Sequence, residues 1–186
     1  MPRHLCVVGV DPSLRNWGLA KGIYDIERKS LRIAEISVLQ PTLPKSKKIR
    51  KSAIDLMAAE ALTNGMLAFA QEADMTFVEV PHGSQSAAAM KGYGICIGIL
   101  GAIREIGIPF FELNQAEVKL AAVGTKEATK EEMINWATSQ HPEAQWPMRT
   151  VKGTPTVIAS KAEHMADAIA TIHAGLQSAY FNQFKR

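Results

Sequence analysis

The residues Leu5 to Val10 form an apolar run rich in valine, closed by Asp11. A short continuous run of this kind predicts a strand buried on both faces, at the centre of a sheet. Trp17 to Tyr24 and Leu31 to Leu39 alternate well enough to be two more strands, and the short links between the three imply an antiparallel meander. Pro41 and Pro44 break the chain. From Lys51 to Ala73 the period becomes helical, with Ile54, Met57, Ala58, Ala61, Leu62 and Leu67 on one stripe. Met75 to Val80 is a fourth strand, stopped by Pro81.

Next comes a helix of small residues, Ser84 to Glu105, in which Met90, Gly94, Gly98 and Ala102 recur four apart. Glycine inside a helix costs about 1 kcal/mol relative to alanine. Several on one face therefore predict close packing, within the chain or against a second copy. Pro109 to Leu113 is a fifth strand. Capping-box spacing marks three later helix starts, at Asn114 with Glu117, Thr129 with Glu132 and Ser160 with Glu163. Thr138 to Ala159, with three prolines and Gly153, reads as a long loop. Its Trp146 either touches a ligand or, as the better reading, caps the fold. The order predicts an α/β fold: a five-stranded mixed sheet flanked by helices, as one domain over residues 1–186.

Composition narrows the class. With 47% hydrophobic and 21% charged residues the chain is an ordinary globular one, and no segment approaches the roughly 18 consecutive apolar residues of a membrane span. The opening apolar run is too short for a signal peptide. Cys6 and Cys96 lie in apolar surroundings, which predicts reduced thiols and a cytoplasmic protein. The net charge of +3 says little, but its distribution says more. Lys45, Lys47, Lys48, Arg50 and Lys51 form one basic run, Lys119, Lys126 and Lys130 a second set, and Arg149, Lys152 and Lys161 a third. Each is either a solvated surface or a polyanion contact.

The acids carry the candidate chemistry. Asp11 closes a buried strand, and Glu79 repeats the arrangement between Val78 and Val80. The helical crossover between the third and fourth strands can set the fourth parallel to the first, so that both acids end at one sheet edge. Two such carboxylates repel unless a cation lies between them. Asp167 sits in a helix whose neighbours Met165, Ala166, Ile169 and Ala170 are apolar, and His164 lies three residues earlier on the same side. Asp11, Glu79, His164 and Asp167 are a donor set for hard divalent ions, Mg²⁺ first and Mn²⁺ as the alternative. The bland readings are a turn, an exposed strand end and a surface histidine.

These residues also carry a resemblance. Val8-Gly9-Val10-Asp11-Pro12-Ser13, followed by Gly18, is similar to the first motif of the RuvC Holliday-junction resolvases. Phe77-Val78-Glu79-Val80 resembles the second. Val118-Lys119, Val123-Gly124 and Lys130 resemble the basic region, with the same spacing between the lysines. Glu163-His164-Met165-Ala166-Asp167-Ala168-Ile169-Ala170 resembles the last motif. The resemblance implies an RNase H-like sheet and a homodimer. It further implies cleavage of four-way DNA junctions with two Mg²⁺ per site, leaving 5′-phosphate and 3′-hydroxyl ends. It puts the catalytic acids on Asp11, Glu79 and Asp167, with His164 where many members carry aspartate and some histidine. Lys119 and Lys130, with Lys126 between them, would contact phosphates. His82 stands where the family often has a base-stacking aromatic. The chain's small size and its departures suggest a phage-encoded member.

Three rivals remain open from the sequence. A nuclease of the same fold could act on a flap or an RNA–DNA hybrid. A junction-binding protein without activity has no reason to gather acids beside DNA. An ATPase of the actin and sugar-kinase kind would need a second glycine-rich phosphate loop, which the sequence lacks, and two lobes.

Overall fold

The computed structural model describes residues 4–184. The apolar opening run is strand β1 (His4–Asp11), and it pairs with β2 (Trp17–Asp25), which pairs with β3 (Ser30–Leu39), both antiparallel. Helix α1 (Lys51–Ala70) crosses over to β4 (Met75–Glu79), which lies parallel to β1 on its other side. Helix α2 (Ala87–Glu105) leads to β5 (Phe110–Leu113), parallel to β4. The sheet order is β3-β2-β1-β4-β5, a mixed sheet as the pattern predicts. Helices α3 (Gln115–Val123), α4 (Lys130–Gln140), α5 (Ala159–Gln177) and α6 (Ala179–Phe184) follow.

Strand pleating sorts the core into two layers. Val8 and Val10 face the layer that holds Leu62, Met66, Cys96 and Ile103 of α1 and α2. Leu5 and Val7 face the layer that holds Ala168, Ile169 and Ile172 of α5. Asp11 has the parity of Leu5 and Val7, and Glu79 that of Met75 and Phe77, which belong to the same layer. Period-two alternation alone therefore aims both carboxylates at α5.

Helix α5 lies unusually close to the sheet because glycine leaves room for it. A Cβ on Gly9 would run into the Ala168 carbonyl, and one on Gly18 into the backbone of His164. Gly18→Ala is expected to destabilise the fold by about 1–3 kcal/mol through overpacking. It should also lower activity, because the helix turn it displaces carries His164. A melting temperature equal to that of the unsubstituted protein would remove this account of the packing.

Several expectations need correction. The box expected at Ser160 is absent: Ile158 is the N-cap of α5, Ser160 lies inside its first turn, and no side chain caps it. The boxes at Asn114 and Thr129 are complete, each with both reciprocal bonds. Gly94 and Gly98 have nothing within 4 Å of where a Cβ would stand, so their face of α2 is not packed within the chain. Helices α1 and α2 are each long and apolar enough, by length and composition, to cross a membrane. Each nevertheless lays one face on the sheet.

The long loop is also more ordered than expected. The buried His141 joins Glu143 through Nδ1 (3.0 Å) and His173 through Nε2 (2.8 Å). Glu143 accepts the Ile33 N–H of β3, and the Trp146 indole donates to the His141 carbonyl. Trp146 thus packs in the α5-side core, on the fold side of the alternative. Beyond it, β6 (Met148–Val151) and β7 (Thr154–Val157) form a separate two-stranded hairpin.

Candidate active site

Asp11 and Glu79 close neighbouring parallel strands, with Val10 in register with Val78. Across from them, α5 presents His164 and Asp167 one turn apart. All four line one cleft, joined by Ser13, His82, Tyr93, Lys130 and Glu163. The expected set is thus brought together from β1, β4 and α5, residues far apart in sequence.

The cleft is too negative for its depth. Burial pushes the Glu79 carboxyl up to about 8, with the charges of Asp11 and Asp167 adding to the shift. Burial pushes Asp167 up to about 7, with Asp11 again adding. Lys119 opposes both shifts. His164 is held above the usual imidazole range, chiefly by its hydrogen bond to Asp11. In that bond Nδ1 stands 3.1 Å from Asp11 Oδ2. An ionised carboxylate only accepts, so Nδ1 carries the proton and donates. In the neutral ring the lone pair therefore lies on Nε2, which stands 3.6 Å from Glu163 Oε1.

These residues fit a hard divalent cation by the chemistry of the donor set. Carboxylate oxygens from three elements converge here around the single His164 ring, and a cation would relieve their mutual repulsion. Among the described residues, no three His, Cys, Asp or Glu side chains stand in an arrangement that would by itself hold a metal ion. An open set suits Mg²⁺, which keeps several of its waters.

The basic residues separate into different places. Lys130 Nζ bonds Glu163 Oε2 at 2.9 Å on the rim of the cleft. Lys119 and Lys126 border an adjoining groove, which His82 and Gln115 share with the cleft. His82 is exposed. The run from Lys45 to Lys51 leads from β3 into α1. It leaves the sheet at the edge that carries Asp11, since Leu39 pairs with Trp17 and Gly18 with Asp11. Buried Asp55 joins Arg15 at 3.3 Å and Lys91 at 2.6 Å, tying the turn after Asp11 to α1 and α2.

Sequence reasoning missed Glu163 as a member of the cleft. Its spacing from Ser160 marks it as a capping partner, although Glu163 and Asp167 stand four apart on one helix face, the spacing that brings side chains together. Tyr93 of α2 was missed as well, and only the tertiary packing reveals it.

A crossover junction endodeoxyribonuclease RuvC from Anaeromyxobacter dehalogenans (strain 2CP-C) is 30% identical over 135 residues, 72% of this chain and 68% of that protein. The chain belongs to the RuvC family. No protein-family model matches it. Among solved structures, T. thermophilus RuvC in complex with a Holliday junction substrate superposes with a TM-score of 0.62 at 19% identity, covering 97% of this chain and 96% of that one. The yeast mitochondrial Holliday junction resolvase gives 0.60 at 13% identity, covering 96% and 83%. At these identities the structures speak for the RuvC fold, an RNase H-like sheet, and the sequence relative speaks for the family.

Proposed function

We propose that the chain is a structure-selective endodeoxyribonuclease that resolves four-way DNA junctions by paired, symmetric nicks with 5′-phosphate and 3′-hydroxyl ends. The observation that carries this reading is the convergence of Asp11, Glu79 and Asp167 in one cleft, with burial and mutual repulsion raising two of them. Nucleases of the family depend on metal. Here Asp11, Glu79, Asp167 and His164 would hold two divalent ions, Mg²⁺ or in its place Mn²⁺. Bound there, such ions supply an activated water and neutralise charge on the phosphoryl oxygens.

The chain's own residues do the rest. Asp11, between the two strands and α5, fixes the His164 ring through Nδ1. In the neutral ring that leaves the Nε2 lone pair, 3.6 Å from Glu163 Oε1, to orient a water or to serve as a ligand. Lys119 and Lys130 approach the rim and hold phosphates as point charges, adding affinity without sequence choice. Lys126 and His82, beside the cleft, extend this contact along the strand.

Symmetric nicking needs two sites, and we assign the second to another copy of the chain. The open face of α2 supports this: Gly94, Gly98 and Gly101 leave space where side chains would stand, and Met90 and Ile97 are exposed. Such a face lets two helices approach closely. A protein that sediments as a monomer at micromolar concentration, with and without DNA, would exclude the symmetric scheme. We place the protein in the cytoplasm, where its substrate would be.

The direct test is cleavage of a labelled immobile four-way junction with Mg²⁺, beside linear duplex, single strand, flap and RNA–DNA hybrid, with an EDTA control. Paired, religatable nicks in opposite junction strands are expected. Cutting of the flap or hybrid alone would keep the cleft and discard the substrate.

A further inference from the structure

The β6–β7 hairpin has no role in the fold described so far. It pairs with no strand of the main sheet. Every residue of its two strands is exposed except Val157, which is half-buried. It stands on a narrow base, the 2.8 Å bond from the Ile158 N–H to the Pro147 carbonyl. Beneath that base the chain is anchored through Trp146 and His141 to α5, and through Glu143 to β3. An isolated two-stranded ribbon is marginally stable in water, so one that serves no core calls for another explanation.

Its charge is one-sided. Between Glu143 and Glu163 there is no acidic residue, while Arg149, Lys152 and Lys161 all carry positive charge. The turn places two residues at positive φ, Lys152 at 49° and Gly153 at 83°. Asparagine or glycine is the usual occupant of the first of these positions. Lysine takes that position here, as Lys29 does in the β2–β3 turn, and Lys152 sets a cation at the tip.

Its place is equally specific. Ile158 caps α5, and His164 follows six residues later, about 9 Å along a helix. A four-residue strand adds about 13 Å. The tip therefore lies within about 22 Å of the cleft, close enough to reach a duplex whose strand lies in it. The major groove of B-DNA admits a two-stranded ribbon.

We propose that this hairpin is a substrate arm that lies against a duplex arm of the branched DNA, with Arg149 and Lys152 on its phosphates. The inference rests on the reading of the chain as a nuclease for branched DNA. It assigns the third basic set a task that the cleft does not need for chemistry.

The test is the affinity of EDTA-treated protein for a labelled four-way junction over a series of salt concentrations. Two double variants are compared with the unsubstituted chain. Arg149→Gln with Lys152→Asn removes both hairpin charges while asparagine keeps the turn. Lys29→Asn with Arg32→Gln removes as much charge from the opposite end of the sheet, where Lys29 also has a positive φ of 52°. The hairpin variant is expected to bind at least about tenfold more weakly at 0.1 M salt, and its slope of log affinity against log salt should shrink by about 1.8, or 0.9 for each lost phosphate contact. The control should keep both values. Equal losses in the two variants, or no loss in the hairpin variant while the unsubstituted chain binds junctions, would overturn the arm and leave the proposed nuclease standing. Failure of the unsubstituted chain to bind any branched DNA would overturn both.

Discussion

Asp11→Asn is expected to reduce junction cleavage by at least about 10³-fold while leaving the protein folded and able to bind junctions. Asp11 touches every part of the cleft: it bonds His164 and raises the carboxyls of both Glu79 and Asp167. Asparagine keeps an oxygen for the His164 bond, so the geometry survives. What it removes is one of the carboxylate charges that would hold divalent ions. A loss of 10³ corresponds to about 4 kcal/mol of barrier at 1.36 kcal/mol per tenfold. Stability should not fall, because the substitution relieves repulsion among buried carboxylates. Junction affinity in EDTA should hold or rise, since one negative charge facing the phosphates is gone. Single-turnover cleavage and gel-shift binding on the same preparation check both halves. A folded Asp11→Asn protein that cuts at the unsubstituted rate would remove Asp11 from the chemistry.

The sheet was legible because its strands differ so sharply from the helices around them. The valine-rich run before Asp11 and the short apolar run before Glu79 give strand position, burial and, through period-two alternation, the common face of both acids. What the pattern could not supply is the closeness of α5, which depends on Gly9 and Gly18 lying opposite Ala168 and His164. No local rule relates residues so far apart. The hairpin was illegible for a different reason. Its strands are four residues each and exposed at every position but Val157, Pro155 lies inside one, and Lys152-Gly153 replaces the usual turn pair. Nothing buried imposes a period there. Local spacing pairs Glu163 with Ser160, whereas a tertiary contact with Lys130 decides where it goes.

Glu79→Gln is expected to make the metal-free protein more stable above neutral pH, and the pH dependence identifies the cause. Glu79 titrates near 8 in the fold, against about 4.5 when unfolded. Between those values the folded state holds more protons than the unfolded one, so stability falls as pH rises. His173 works in the opposite sense at lower pH: burial, with the nearby His141 adding, lowers it from 6.5 to about 4, so its stabilising contribution is lost as pH falls through that window. The two effects overlap below 6.5, and above 6.5 the acids act alone with His164, whose raised value has the same sign. From pH 6.5 to 8.5 in EDTA, Glu79 by itself should remove about 2 kcal/mol. Urea unfolding of the unsubstituted chain should show that decline, and Glu79→Gln should flatten most of it. Millimolar Mg²⁺ should restore the unsubstituted chain at pH 8.5 and restore the Gln variant much less, because a cation binding the folded state adds stability in proportion to its affinity. Equal unfolding free energies at the two pH values in EDTA would mean that the cleft tolerates its charges without a cation. A divalent site would then be supported by the family alone.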